Sequence, residues 1–161
     1  MAKALRFFLA VFLVLSLDRA TKLWIANRFS EGGGFSVLSG IFHITYVKNT
    51  GAAFGIFRQQ LPFLILLSTV FLIIFFVYLF RRFFRESSQS QTQPFSMPLT
   101  LWAWSLIVAG AAGNLYDRIF YGYVVDFLDF RVWPVFNVAD TAICVGVALI
   151  FLDSFFNKAE N

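Results

Sequence analysis

The sequence predicts a mainly α-helical membrane protein: a four-transmembrane-helix bundle with a small β-sheet and an amphipathic segment on the outer membrane surface. Three observations carry this. The 161 residues are 59% hydrophobic and only 14% charged, where soluble domains carry about 25% charge. Four stretches approach the roughly 20 apolar residues that cross a bilayer. Between them lie short runs in which polar and apolar residues alternate, the period of a strand. The length suits one domain over residues 1–161.

The first span is expected over residues 5–25. Lys3 and Arg6 precede an apolar run from Phe7 to Leu17, which imitates a secretory signal. The next residues, Asp18-Arg19-Ala20-Thr21-Lys22, do not form a small-x-small cleavage site, so the segment reads as an uncleaved signal-anchor. The second span, 61–80, is almost purely Leu, Ile, Phe and Val. The third covers 98–115 and the fourth 136–156.

Sidedness comes from the basic residues. Lys3, Arg6, Arg81, Arg82, Arg85 and Lys158 fall on one side; Lys22, Arg28, Lys48, Arg58, Arg118 and Arg131 fall on the other. The numbers are equal, but the first set is packed into shorter segments, and Arg81-Arg82-Phe83-Phe84-Arg85 abuts a span end. The positive-inside rule weights short flanks and predicts both termini in the cytoplasm. Residues 81–97, rich in Ser and Gln, then read as a flexible cytoplasmic linker.

Two outer segments alternate. Residues 40–48 put Phe42, Ile44 and Tyr46 on one face, and residues 123–132 put Val124, Asp126 and Leu128 on one face. They are expected to form a small sheet on the outer surface, apolar towards lipid.

With this topology the polar residues gather at the outer end: Asp18, Asn49, Asn114, Asp117, Arg118, Asp126, Asn137 and Asp140. A carboxylate near the bilayer core costs on the order of 2.5 kcal/mol or more. Structural readings stand beside functional ones. Asn137 has the spacing to cap a helix whose positive end favours Asp140. Asp126 has Arg118 as a candidate ion partner. Asp18 and Lys22 are four apart on a helix and suit a pair. The glycines of Gly110-Ala111-Ala112-Gly113 suit close helix packing.

Composition narrows the chemistry. One histidine and one cysteine exclude the common zinc designs, and no disulfide can form within the chain. The net charge of +4 forms no long basic run, so nucleic acid is not an expected partner. A serine–lysine dyad has only Lys22 at depth. A pairing through Asp117 lacks a Gly-x-Gly-Asp partner. What remains is a carboxylate pair sharing one proton, which activates water with no metal or cofactor. A proton-coupled transporter and a structural membrane subunit stay open on the residues alone.

Five blocks carry a resemblance: Asp18-Arg19-Ala20-Thr21-Lys22, Asn49-Thr50-Gly51-Ala52-Ala53-Phe54-Gly55, Gly113-Asn114-Leu115-Tyr116-Asp117-Arg118, Val124-Val125-Asp126-Phe127 and Phe136-Asn137-Val138-Ala139-Asp140. In this order they resemble the signature of the lipoprotein signal peptidases, the bacterial type II signal peptidases, over nearly the whole chain. The resemblance implies an aspartic endopeptidase of the bacterial inner membrane. It would cleave diacylglyceryl-modified prolipoproteins just before the lipidated cysteine, with its site near the outer face among membrane lipids. Asp126 and Asp140 match the catalytic pair. Asn49, Asn114, Arg118 and Asn137 match site-lining residues, and Asp18 matches a supporting acid; Lys22, Gly51 and Asp117 belong to the same blocks. Globomycin-type peptide antibiotics are the expected inhibitors. Arg19 stands where many members have Gln, which touches none of this chemistry.

Overall fold

The computed structural model describes residues 2–52, 56–57, 59–86 and 98–158. Phe54 and Gly55, and the part of the expected linker after Glu86, lie outside the described residues.

Among the described residues, four helices and three strands run in the order α1 (Ala2–Arg28), β1 (Gly34–Leu38), β2 (Phe42–Asn49), α2 (Leu61–Glu86), α3 (Pro98–Tyr121), β3 (Val124–Asp129) and α4 (Val138–Lys158). The helices overrun the spans expected from the sequence. The expected linker begins at residue 81, but α2 continues through Glu86. Apolarity ends the third span near Leu115, but α3 continues to Tyr121 and carries Asn114, Asp117 and Arg118 as helical residues. Apolarity marks where lipid ends, whereas backbone hydrogen bonding carries a helix on into the interface. Gly122, at φ +77, then turns the chain into β3.

Among the described residues, three helical stretches are long and apolar enough to cross a membrane: Leu61–Arg81, Leu99–Tyr121 and Val138–Phe155. The first helix is as long, but its second half carries Asp18, Arg19 and Lys22.

The tightest packing joins α3 to α4, and glycine is the reason. A Cβ on Gly110 would stand 2.3 Å from the carbonyl oxygen of Ala139, and one on Gly146 would stand 2.6 Å from that of Ala103. The helices therefore meet backbone to backbone, as small residues allow in membranes. Gly110→Ala is expected to push α4 outward, cost about 1–3 kcal/mol of stability and move Asp140. Thermal melting and turnover measured together check this. Both should fall, and an unchanged melt would show that the interface yields without strain.

The strands form one antiparallel sheet in the order β1-β2-β3. Its attachment differs from the expectation. The register shifts between Ile44 and Val47, which interrupts the alternation. Tyr46 turns inward and packs with Val125 and Phe127 on Ile25 of α1, while Phe42 stacks on Phe130 with ring centroids 4.7 Å apart. Residues 124–127 are all buried, so β3 is covered on both faces. The edge strand and its turn expose Phe35, Val37, Leu38 and Ile41. The sheet thus holds β3 against the helix bundle, and Asp126 sits near the middle of that strand.

Candidate active site: two aspartates in one amide network

Asp140 lies in the first turn of α4. Asn137 caps the helix: its Oδ1 accepts the Asp140 N–H at 2.9 Å, and Asp140 Oδ2 accepts the Asn137 N–H at 3.3 Å. This reciprocal pair is a capping box. The capping role suggested by the spacing is therefore real, yet it occupies only one carboxylate oxygen. The other, Oδ1, accepts from Asn114 Nδ2 at 2.7 Å.

Asp126 arrives from the sheet. Its Oδ1 accepts from Asn137 Nδ2 at 2.6 Å, and its Oδ2 accepts from Asn49 Nδ2 at 2.8 Å. Asn49 ends β2, and its own Oδ1 accepts the Gly51 N–H at 2.9 Å, which fixes the amide. Asn137 thus reaches both acids through the two ends of one side chain.

All four oxygens of the two carboxylates accept an amide N–H, and among the described residues none pairs with a cation. The ion bridge considered between Asp126 and Arg118 is absent among them. Arg118 instead donates to the Gly51 carbonyl at 3.2 Å and to the Asn114 carbonyl at 3.5 Å. A neutral donor orients a carboxylate without forcing it to stay ionised, as a salt bridge would. Burial, and after it the charge of Asp140, push Asp126 up to about 7, against the hydrogen bonds from Asn49 and Asn137.

Behind the pair lies a separate ionic cluster. Lys22 Nζ is 2.9 Å from Asp18 Oδ2, 2.9 Å from Asp117 Oδ2 and 2.9 Å from Asn114 Oδ1. The expected Asp18–Lys22 pair is present, and Asp18 does more: its Oδ1 accepts the Ala139 N–H at 2.9 Å, anchoring the first turn of α4 to α1. Arg19, read from the sequence as uninvolved, binds Asp117 at 3.0 Å. It also donates to the Tyr121 hydroxyl and lies over the rings of Tyr116 and Tyr121. Four acids (Asp18, Asp117, Asp126, Asp140) therefore stand with three cations (Arg19, Lys22, Arg118). In a low-dielectric setting the set is neutral when one carboxyl holds a proton.

Asn49, Asn114, Arg118, Asp126 and Asp140 line a cavity of about 1220 Å³. Asn137, Asp18, Lys22 and Asp117 are buried behind its wall. Lys48, Thr50 and Gln59 also line the cavity, as do Thr141 and Cys144 of α4. Residues 132–136 also form part of the wall. Sequence reading singles out Phe136, in the fifth block, but not Trp133, Pro134 and Val135 as site residues, although the apolar run Val132-Trp133-Pro134-Val135 just outside a span is the available signal.

The chain is similar to known proteins over most of its length. The family model for signal peptidase (SPase) II matches residues 10–156. The lipoprotein signal peptidase of Halothermothrix orenii is 38% identical over 145 residues, covering 90% of this chain and 92% of that protein. That of Nostoc punctiforme is 41% identical over 155 residues, covering 92% and 89%. A solved bacterial membrane enzyme superposes with a TM-score of 0.81 at 32% identity, covering 97% of this chain and 91% of that one.

Proposed function

Because the chain belongs to the signal peptidase II family, we propose that it is a membrane aspartic endopeptidase that removes the signal peptide from diacylglyceryl-modified prolipoproteins. Asp126 and Asp140 are the catalytic pair. The observation that carries this is the setting of the two acids. Every carboxylate oxygen is held by an amide, none by a cation among the described residues, and the pair opens on a cavity.

The pair works with one shared proton. The ionised carboxylate takes a proton from water as the water oxygen bonds to the scissile carbonyl carbon. The protonated carboxyl polarises the carbonyl oxygen and then protonates the amide nitrogen as the C–N bond breaks. Arg118, with donors beyond those it spends on backbone carbonyls, holds substrate carbonyls at the rim. No metal or cofactor takes part. Family membership does not favour a proton-coupled transporter or a structural subunit.

The membrane setting belongs to the same reading. The first helix is the fourth span: its 27 residues extend about 40 Å, and Asp18, Arg19 and Lys22 in it are ion-paired with one another or with Asp117, as intramembrane charges are. Both termini face the cytoplasm, and the pair lies near the outer face of the inner membrane. There acyl chains of the substrate stay in the leaflet while the scissile amide reaches the carboxylates. Globomycin-type peptides compete for this cavity.

The purified protein in detergent is expected to release the signal peptide from a diacylglyceryl-modified prolipoprotein with a chelator present. No release by folded protein would overturn the reading. The pH profile is a second expected result. Asp126 keeps its proton up to about 7, so turnover should fall as pH rises through that value and the pair loses the shared proton. The sign for stability is the same. The raised value favours the folded state below the ordinary carboxylate range, and that contribution is lost as pH climbs to about 7. Initial rates and melting temperatures between pH 5 and 9 (about two units either side of that value) read both.

A further inference from the structure

We infer that Lys22, which touches neither catalytic aspartate, is a positioning residue that selects the orientation of the Asn114 amide and thereby aims its N–H at Asp140. This rests on the assignment of Asp126 and Asp140 as the catalytic pair.

An asparagine amide has two ends of nearly equal shape and opposite hydrogen-bonding sense, so its surroundings must choose between them. At Asn114 the choice is made by Lys22. An ammonium group only donates. Lys22 Nζ stands 2.9 Å from Asn114 Oδ1, and the Asn137 Nδ2, also a donor, stands 3.3 Å from the same oxygen. A flipped amide would set its NH2 against both donors and its oxygen against the Asp140 carboxylate. With Lys22 in place the NH2 must face Asp140, and it does, at 2.7 Å.

Lys22 is itself held fast. Its side chain is 1% exposed, and Asp18 and Asp117 flank the ammonium at 2.9 Å each. Asp18 also anchors the Ala139 N–H at the start of α4, so the group that fixes the ammonium fixes the helix bearing Asp140. A lysine that only neutralised Asp18 and Asp117 would have no need to point a third N–H at an asparagine bound to the catalytic acid. The charged groups around this chain of contacts are Asp18 and Arg19 on α1, Asp117 and Arg118 on α3, Asp126 on β3 and Asp140 on α4.

The test must separate orientation from charge. Lys22→Met combined with Asp117→Asn removes one cation and one acid, so the formal balance of the cluster is kept. Lys22→Gln combined with Asp117→Asn keeps the same balance but restores a neutral donor towards Asn114. Melting temperatures establish that each is folded. The Met pair is expected to lose kcat by about tenfold or more with KM within about twofold. Activity is also expected to fall on the acid side, where the carboxylate that takes the proton of water becomes protonated, and in the Met pair this acidic limb should move up by about one pH unit, because a hydrogen bond to an ionised carboxylate favours that form. The Gln pair is expected to recover most of both. Equal activity in the Met pair and wild type, or equal loss in the Met and Gln pairs, would overturn the proposal and leave Lys22 a charge-neutralising residue.

Wild-type protein gives a readout that needs no variant to fold. With 15N-labelled asparagine, the Asn114 side-chain amide protons should shift with pH along the acidic limb of activity. An amide that ignores that titration would overturn the proposal. Asp140→Asn in the same assay keeps the two readings apart. If that variant turns over normally, the catalytic assignment fails, whatever Lys22 does.

Discussion

Asp126→Asn and Asp140→Asn are each expected to lower kcat by about 1000-fold or more in protein that remains folded and still binds substrate. In the proposed mechanism the two carboxylates divide the work, one taking the proton of water while the other protonates the leaving nitrogen, and an amide does neither near neutral pH. The fold should survive because the replacement is nearly isosteric. At position 126 the amide oxygen still accepts from one of Asn49 and Asn137, while its NH2 meets the other as donor against donor. That costs one hydrogen bond, about 1 kcal/mol. In compensation, a buried carboxyl already pushed up to about 7 is no longer ionised in alkaline solution. Above that pH Asp126→Asn should therefore melt no lower than wild type, while being inactive at every pH. Position 140 differs, because Asp140 Oδ2 also completes the cap of α4; its asparagine variant keeps an oxygen for that bond and loses the contact with Asn114. Cleavage assays and thermal melts on the same preparations decide the matter. A variant that cleaves like wild type would make its aspartate structural.

The sequence shows that this is a membrane chain and where its acids are, because both depend only on composition along the chain. Apolar runs long enough to span mark the helices, and a carboxylate among them stands out against its cost. The capping of α4 is legible too, since Asn137 and Asp140 have the spacing that makes a capping box. The illegible part depends on which side chains meet across elements. Arg118 is adjacent in sequence to Asp117 and near Asp126, which suggests an ion pair. Only the extension of α3 to Tyr121 and the turn at Gly122 set its guanidinium on the Gly51 carbonyl instead. The partnership of Arg19 with Asp117 joins residues 98 apart and has no local signature. The bulge in β2 likewise interrupts the period that places Tyr46, and its cause is the pairing with β3.

Asn137 is the residue whose loss should do the most damage outside the pair itself. It is fully buried, and its one amide makes contacts in three directions: Oδ1 to the Asp140 N–H, Nδ2 to Asp126 Oδ1, and Nδ2 to Asn114 Oδ1. Asn137→Ala removes all three. Loss of the cap alone costs about 1 kcal/mol. The Asp126 oxygen loses its 2.6 Å donor, a further penalty of about 1–3 kcal/mol for a buried acceptor left unmatched. Turnover should fall by about 100-fold or more, because small misplacements of reacting groups are that costly. Asn137→Ser separates the two roles. Its hydroxyl caps the helix as well as asparagine does, but its short side chain cannot also reach Asp126 as a donor. Melting temperature should therefore return towards wild type while kcat stays low. If the serine variant regained both, Asn137 would be a helix cap and nothing more, and the alignment of Asp126 would have to come from Asn49 alone. If it regained neither, the bridge between the carboxylates would itself hold the start of α4 against the sheet.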